Sequence, residues 1–333
     1  MKVLVTGGAG YIGSHTVFHL LEQRYDVIVA DNYSNSSPQV IDNLKYISKK
    51  EITVFEVDLK DYTQSRSIFE NNKIDAIIHF AGYKAVGESV RVPVDYYDNN
   101  INTTLNLLKL MKEFDVKKFV FSSSATVYGD PISCPIDESF PINATNPYGR
   151  TKLFIEEILK DYSIANKDTS ISILRYFNPV GAHKSGLIGE NPNGIPNNLV
   201  PYINQVASGK LDELPVYGND YPTKDGTGIR DYIHVEDLAY GHIKALEYIA
   251  IKNGYFIHNL GTGVGYSVMD MINTFEEISG KKVKYRITNR RPGDIAECYA
   301  NPIKAEKELN WKAKRGLKEM LEDAWRFEIN INR

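Results

Sequence analysis

The run Val3-Leu4-Val5-Thr6-Gly7-Gly8-Ala9-Gly10-Tyr11-Ile12-Gly13 most restricts what this chain can become, because β-branched and apolar residues break into glycines three apart and then into helical spacing. It reads as a strand, a tight turn and a helix. Gly7 permits the turn, Gly10 lets backbone amides approach a pyrophosphate, and Gly13 lets the helix sit close on the strand. The helix N-terminus then faces the anion. An ordinary glycine-rich turn has the same appearance, so the next strand carries the decision.

That strand, Asp26-Val27-Ile28-Val29-Ala30, ends in Asp31, at the distance where a carboxylate accepts a hydrogen bond from an adenosine ribose. A carboxylate there repels a 2′-phosphate, and Asn32 follows it where an arginine would serve such a phosphate. The cofactor implied is NAD rather than NADP.

At 333 residues the chain can bury a large core, enough for one α/β domain with a smaller companion. Its net charge of −3 comes from interspersed charges without a basic block, so neither nucleic acid nor an anionic membrane surface is implied as a partner. No apolar run approaches the ~18 residues of a membrane span, and the first strand begins at residue 2, so a cytoplasmic location is expected. Cys134 and Cys298 lie far apart without metal-like spacing and are expected to be free thiols. His15 and His19 stand four apart but lack the surrounding pattern of a zinc helix, so no metal is expected.

Strand and helix signals then alternate: strands at 52–57, 74–79 and 117–122, with helices near 61–71 and 94–113. Continuous apolar runs such as Ala76-Ile77-Ile78 and Phe119-Val120-Phe121 mark parallel strands buried on both faces. The fold class expected is α/β, a doubly wound parallel sheet of Rossmann type with a smaller mixed α/β domain on the C-terminal side. Residues 1–175, joined by about 235–260, would bind the dinucleotide; 176–333 would bind the other ligand. Helices are further expected at 148–161, 235–250, 267–279 and 316–329, and strands at 171–174 and 255–259. Regularity falls over 179–233, apart from short elements near 198–208 and 214–217, as in segments that wall a ligand site.

Tyr148 and Lys152 are one helical turn apart and can reach a common ligand. The spacing also occurs at Tyr46/Lys50, Tyr240/Lys244 and Tyr248/Lys252, where an ordinary surface pair suffices. Only Tyr148 opens a helix after a proline-containing loop and follows a strand that ends in Ser122-Ser123-Ser124. A tyrosine near pH 7 becomes a base only if its phenolate is stabilised by about 4 kcal/mol. A cation about 6 Å away supplies roughly 2.8 kcal/mol at an effective dielectric near 20, so Lys152 and an oxidised nicotinamide together would suffice. Ser124 has the chemistry to hold the same substrate hydroxyl.

The glycine spacing G-x-x-G-x-x-G resembles the short-chain dehydrogenase/reductase form of the dinucleotide fingerprint. Further motifs are Thr6–His15, His79-Phe-Ala-Gly82, Lys84–Ser89, Phe121–Gly129, Tyr176-Phe-Asn-Pro-Val-Gly-Ala182 and Gly228-Ile-Arg-Asp-Tyr-Ile-His234. Together, and end to end, they resemble the UDP-glucose 4-epimerase family, also called UDP-galactose 4-epimerase. The resemblance implies an isomerase that keeps NAD bound, takes a hydride from sugar C4 and returns it to the opposite face of a 4-keto sugar. UDP-glucose and UDP-galactose would be its substrates.

The resemblance assigns catalysis to Tyr148, Lys152 and Ser124. It places Gly7, Gly10, Tyr11, Ile12, Gly13, Asp31, Asn32, Asn35, Asp58, Leu59, Phe80, Ala81, Lys84, Asn99, Ser122 and Tyr176 around the cofactor, along with Tyr148 and Lys152. It gives the UDP-sugar Ser124, Tyr148, Phe177, Asn178, Asn198, Leu199, Tyr217, Arg230, Tyr232, Arg291, Asp294 and Cys298. The loop 290–294 and the segment 197–199 would belong to one site. A family member would be a homodimer joined through the helices at 94–113 and 146–161. Cys298 occupies the position that is a bulky tyrosine or a small residue in the family, which implies room for UDP-GlcNAc and UDP-GalNAc. A 4,6-dehydratase, the nearest rival, places Asp and Glu after its serine or threonine, where this chain has Ala125 and Thr126. A non-enzymatic NAD-binding regulator would have no need of Tyr148, Lys152 and Ser124.

Overall fold

A computed structural model describes residues 1–192, 194–291 and 293–332 of the chain. The chain alternates β1 (Lys2–Thr6), α1 (Tyr11–Glu22), β2 (Asp26–Asp31), α2 (Pro38–Ser48), β3 (Thr53–Glu56), α3 (Tyr62–Glu70) and β4 (Ala76–His79). It continues through α4 (Val86–Arg91), α5 (Pro93–Glu113), β5 (Lys118–Ser122), α6 (Pro147–Ala165) and β6 (Ser170–Tyr176). Next come β7 (Asn178–Val180), α7 (Leu199–Ala207), β8 (Leu214–Tyr217), β9 (Ile229–His234), α8 (Val235–Ile251) and β10 (Gly254–Leu260). The last elements are β11 (Gly265–Ser267), α9 (Val268–Ser279), β12 (Tyr285–Thr288), β13 (Glu297–Cys298), α10 (Ile303–Leu309) and α11 (Leu317–Ile331).

Seven strands form one parallel sheet in the order β10-β6-β5-β4-β1-β2-β3. The order reverses beside β1, and a doubly wound sheet binds its ligand at that crevice. Thr6 pairs with Ala30 on one side and His79 on the other, so these strands deliver their last residues to a common edge. Val3, Leu4, Val5, Ile77, Ile78, Phe119 and Val120 are wholly buried. Each such large apolar side chain contributes about 1.5–3 kcal/mol, which holds that edge rigid.

The remaining strands lie outside this sheet. β9 is central, antiparallel to β11 and parallel to β7 and β13, while β8 pairs with β12 in a parallel ribbon. β9 falls inside the stretch read from the sequence as irregular. Its alternation is masked by Arg230 and Asp231, and Asp231 is buried because its carboxylate accepts hydrogen bonds from the amides of Thr262, Gly263 and Ala300. The short elements α2, α4, α10, β7, β11, β12 and β13 likewise had no clear sequence signal. α2 buries only Ile41, Leu44 and Ser48, too few positions for a strong period. Among the described residues no helix is long and apolar enough to cross a membrane.

Candidate active site

The turn after β1 shows why glycine is needed. Gly7 has φ +68°, and a Cβ there would meet Ala81 N at 2.8 Å; a Cβ on Gly13 would collide with Gly7 O. Gly10 N–H closes the turn by donating to Gly7 O at 3.1 Å. The amides of Tyr11, Ile12 and Gly13 instead find no acceptor among the described residues. A helix start with three open donors and no Cβ in the way fits a pyrophosphate.

Asp31 is buried beside this turn. Its carboxylate accepts from Ala9 N at 2.9 Å, Tyr33 N at 3.0 Å and Ser36 Oγ at 2.9 Å. Asn32 and Asn35 are exposed next to it. Asp58 accepts from Lys60 N at 2.9 Å while Leu59 is buried. Phe80 packs 4.6 Å from His242, and buried Asn99 donates to Asn100 Oδ1 at 3.0 Å. These side chains line the ends of β2, β3 and β4, where an extended dinucleotide would run.

Tyr148 owes its place to the start of α6. Asn146 caps the helix by accepting from Gly149 N at 2.9 Å, and Pro147 occupies the first turn, where its missing N–H costs nothing. The Tyr148 hydroxyl faces those of Ser124 and Tyr176. One turn later the Lys152 ammonium donates to Ser122 O at 2.9 Å and lies 5.9 Å from the Tyr148 ring centroid. Ser124 Oγ is fixed by donors from Thr126 N at 3.2 Å and Thr126 Oγ1 at 3.0 Å. Tyr148, Lys152, Ser124 and Ser122 are all buried.

Burial has opposite effects on the two ionisable partners. It raises the Tyr148 phenol well above its ordinary value and pushes the Lys152 ammonium down to about 8, an effect that the charge of Glu156 opposes. The stabilisation needed to make Tyr148 a base at neutral pH is therefore larger than for a solvated phenol. Burial, then the Lys152 charge, pushes His79 down to about 3, so a neutral ring bridges Thr6 Oγ1 at 2.7 Å and Thr104 Oγ1 at 3.1 Å.

Sequence reasoning missed the support beneath this set. Glu156, buried, takes Arg175 through Nε and Nη2, the latter at 2.6 Å, while Arg175 Nη1 donates to Tyr128 OH at 3.1 Å. Tyr128 OH in turn donates to Asn259 Oδ1 at 2.7 Å, tying β10 to the segment after β5. Glu156 stands one turn beyond Lys152 on the same helix face, but no spacing in the sequence links it to Arg175 on β6.

The other expected ligands fall into two groups. Arg291 Nε is 3.0 Å from Asp294 and its guanidinium lies 4.6 Å over Tyr217, while Arg230 Nη2 is 3.9 Å from the same Asp294. Asn198, at the start of α7, donates to Glu190 at 2.7 Å, and Lys84 meets the same carboxylate at 3.2 Å. Among the described residues no hydrogen bond or ion pair joins loop 290–294 to segment 197–199. Leu199 and Tyr232 belong to one apolar cluster. Phe177 is buried and Asn178 exposed at the start of β7. Cys298 stands opposite Arg230 in the β13–β9 register and packs with Phe177, Tyr128 and Ile136, whereas Tyr299 lies beside Gly265. Both cysteines are free, and burial pushes the Cys298 thiol up to about 12.

A doubly wound sheet with a glycine turn at its reversal and a buried Tyr148–Lys152 pair opposite defines the short-chain dehydrogenase/reductase class. Within it, a sequence model of the family described as GDP-mannose 4,6 dehydratase matches residues 4–324. The UDP-glucose 4-epimerase of Bacillus subtilis (strain 168) is 59% identical over the whole chain and 98% of that protein. The crystal structure of UDP-glucose 4-epimerase from Bifidobacterium longum in complex with NAD+ and UDP superposes with a TM-score of 0.96 at 53% identity, covering 99% of this chain and 98% of that one. The UDP-Glc/GlcNAc 4-epimerase of Campylobacter jejuni superposes with a TM-score of 0.87 at 38% identity, covering 99% of each chain. The chain belongs to the UDP-glucose 4-epimerase family.

Proposed function

We propose that this protein interconverts UDP-glucose and UDP-galactose at C4 on a retained NAD, with Tyr148 as acid–base, Lys152 as its electrostatic partner and Ser124 as the anchor for the 4-hydroxyl. The observation that carries this reading is the burial of Tyr148, Lys152 and Ser124 together at the edge of the sheet onto which the glycine turn opens. NAD+, when bound, accepts a hydride from C4 and returns it. Tyr148 takes the hydroxyl proton, Ser124 aligns the oxygen, and the Lys152 charge favours the phenolate against the burial that opposes it. The open amides of Tyr11, Ile12 and Gly13 would hold the pyrophosphate and Asp31 the adenosine ribose. Asp31 without an adjacent arginine supports NAD over NADP, as does the NAD+ named in the Bifidobacterium structure. Ala125 and Thr126 lack the carboxyl groups a dehydratase would use.

Arg230 and Arg291 would bind the diphosphate and Asp294 the uridine ribose, with Tyr217 beside the uracil and Asn178 and Asn198 on phosphate and sugar. Cys298, a small side chain packed against the cluster that holds Phe177, supports a pocket wide enough for UDP-GlcNAc and UDP-GalNAc, as does the similarity to the Campylobacter enzyme. Residues 1–175 with about 235–260 form the nucleotide-binding unit in this reading, and the remainder binds the UDP-sugar. The protein acts as a cytoplasmic homodimer. α5 packs on α6 with Tyr97 and Phe154 stacked at 6.0 Å, and Phe154 is left exposed for a second copy. Purified protein incubated with UDP-galactose and no added NAD should produce UDP-glucose, and denaturation should release NAD identifiable by mass. Absence of product, or release of NADP alone, refutes this function.

A further inference from the structure

Glu190 is in none of the roles assigned above, yet its carboxylate touches two of them. Its Oε1 accepts from Asn198 Nδ2 at 2.7 Å and from Lys84 Nζ at 3.2 Å, with the Glu190 side chain only 10% exposed. Lys84 follows the β4 edge, where the dinucleotide is placed, whereas Asn198 opens α7 on the sugar side. The backbone fixes the carboxylate between them. Gly189 bridges Ala182, and Gly181 O accepts from the Tyr11 hydroxyl at 2.7 Å, so the segment that carries Glu190 is tied to the first residue of α1. Burial raises the Tyr11 and Tyr176 phenols, and the nearby Glu190 charge adds to both.

A second observation concerns Asn198 itself. An asparagine at a helix N-cap ordinarily turns its carbonyl oxygen onto the amides of the first turn. Asn198 occupies that position in α7 and makes no such bond, and its amide is instead drawn to Glu190. A carboxylate is also an unfavourable neighbour for two diphosphates, so electrostatic attraction of ligand cannot be its contribution. Orientation can be. Lys84 has two further N–H donors and Asn198 one, and a single anchoring oxygen fixes the direction of all three.

We propose that Glu190 is a positioning residue that aligns Lys84 and Asn198 from opposite sides of the cleft, so that their remaining donors meet phosphate oxygens of the cofactor and the UDP-sugar. This rests on the UDP-sugar reading above. The test uses purified holoenzyme, wild type and the variants Glu190→Ala, Glu190→Gln, Asn198→Ala and the Glu190→Ala/Asn198→Ala double. UDP affinity is measured by calorimetry, and KM and kcat with UDP-galactose. Glu190→Ala should weaken UDP binding and raise KM by about 5-fold or more with kcat within about 2-fold, the signature of lost binding without lost chemistry. Glu190→Gln keeps an acceptor oxygen for Asn198 and should recover part of the loss. Asn198→Ala should add little on top of Glu190→Ala, since coupled partners are not additive. Unchanged or tighter UDP binding in Glu190→Ala overturns the proposal, as does a variant whose only defect is lower thermal stability. Wild-type protein that binds UDP but does not convert UDP-galactose would refute the catalytic reading, while the calorimetric comparison would still decide the role of Glu190.

Discussion

The two sides of the cleft are built on different physical terms. At the edge of the seven-stranded sheet, Tyr148, Lys152, Ser122, Ser124 and His79 are buried, held by rigid elements and by partners within the protein. On the opposite side Arg230, Arg291 and Asp294 occupy short strands and a loop, and their side chains are 22%, 52% and 28% exposed. Part-exposed ion pairs of that kind are worth only about 0–1 kcal/mol, so the diphosphate proposed for this side would displace Asp294 from the arginines at little cost. Proton transfer needs fixed distances in a dry site, while capture of a charged nucleotide needs cations that can change partners.

The contrast is tested most severely by Tyr148→Phe, which removes one hydroxyl from the rigid side and nothing else. Epimerisation measured on UDP-galactose should fall by about 10²–10⁴-fold with the circular dichroism spectrum and bound NAD retained. A variant that keeps more than about a tenth of the wild-type rate would remove Tyr148 from the proton transfer.

Acid should next separate the two sides. Burial lowers His15 and His242 to about 4 and His79 to about 3, so between pH 6.5 and these values the unfolded chain binds protons that the folded chain refuses. Stability is then full above pH 6.5 and falls as pH drops, by about 1.4 kcal/mol per histidine for each pH unit. Urea unfolding at pH 7.5 and 5.5 measures it. A midpoint that does not move would mean that these rings are solvated rather than dry.

Arg230→Ala lies on the exchangeable side. Loss of one charge-assisted hydrogen bond of about 1.5–3 kcal/mol should lower kcat/KM for UDP-galactose by roughly 10–150-fold. The loss should enter mainly through KM, and a fall confined to kcat would place Arg230 with the rigid set instead.

Cys298→Tyr is the finest probe. It should suppress turnover of UDP-GalNAc by about 10-fold or more relative to UDP-galactose, because added bulk in a hydrophobic pocket discriminates by about 1–3 kcal/mol. Equal effects on both substrates, or no UDP-GalNAc turnover in the wild type, would dissociate Cys298 from pocket width.

The same contrast governs what could be read from the sequence. The first six strands were legible because buried parallel strands write continuous apolar runs, whereas Tyr148 and Lys152 were set apart from three other pairs of the same spacing only by the serine-ended strand and the proline-containing loop before them. Arg230, Asp294 and Asn198 were legible only by resemblance, since an arginine in an irregular stretch has no pattern of its own. β9 was missed because Asp231 interrupts its apolar character while accepting three amides that the sequence does not bring together. Glu156 and Glu190 were missed for a related reason. Both are carboxylates whose partners come from distant segments, Arg175 and Ser123 for one, Lys84 and Asn198 for the other.

The late arrival of β10 also bears on how the protein is made. β6 pairs with β5 on one side and with β10 on the other, and β10 is separated from it in sequence by β7, α7, β8, β9 and α8. As the chain leaves the ribosome, the edge of β6 is complete long before the strand that covers it exists. Ser170 to Arg175 are all buried in the finished protein, and until β10 arrives the edge of β6 offers unpaired backbone N–H and C=O groups to other chains. Pairing across such a sequence separation is intrinsically slow. Aggregation in this fold should therefore begin during synthesis, at the β6 edge, rather than from the finished molecule.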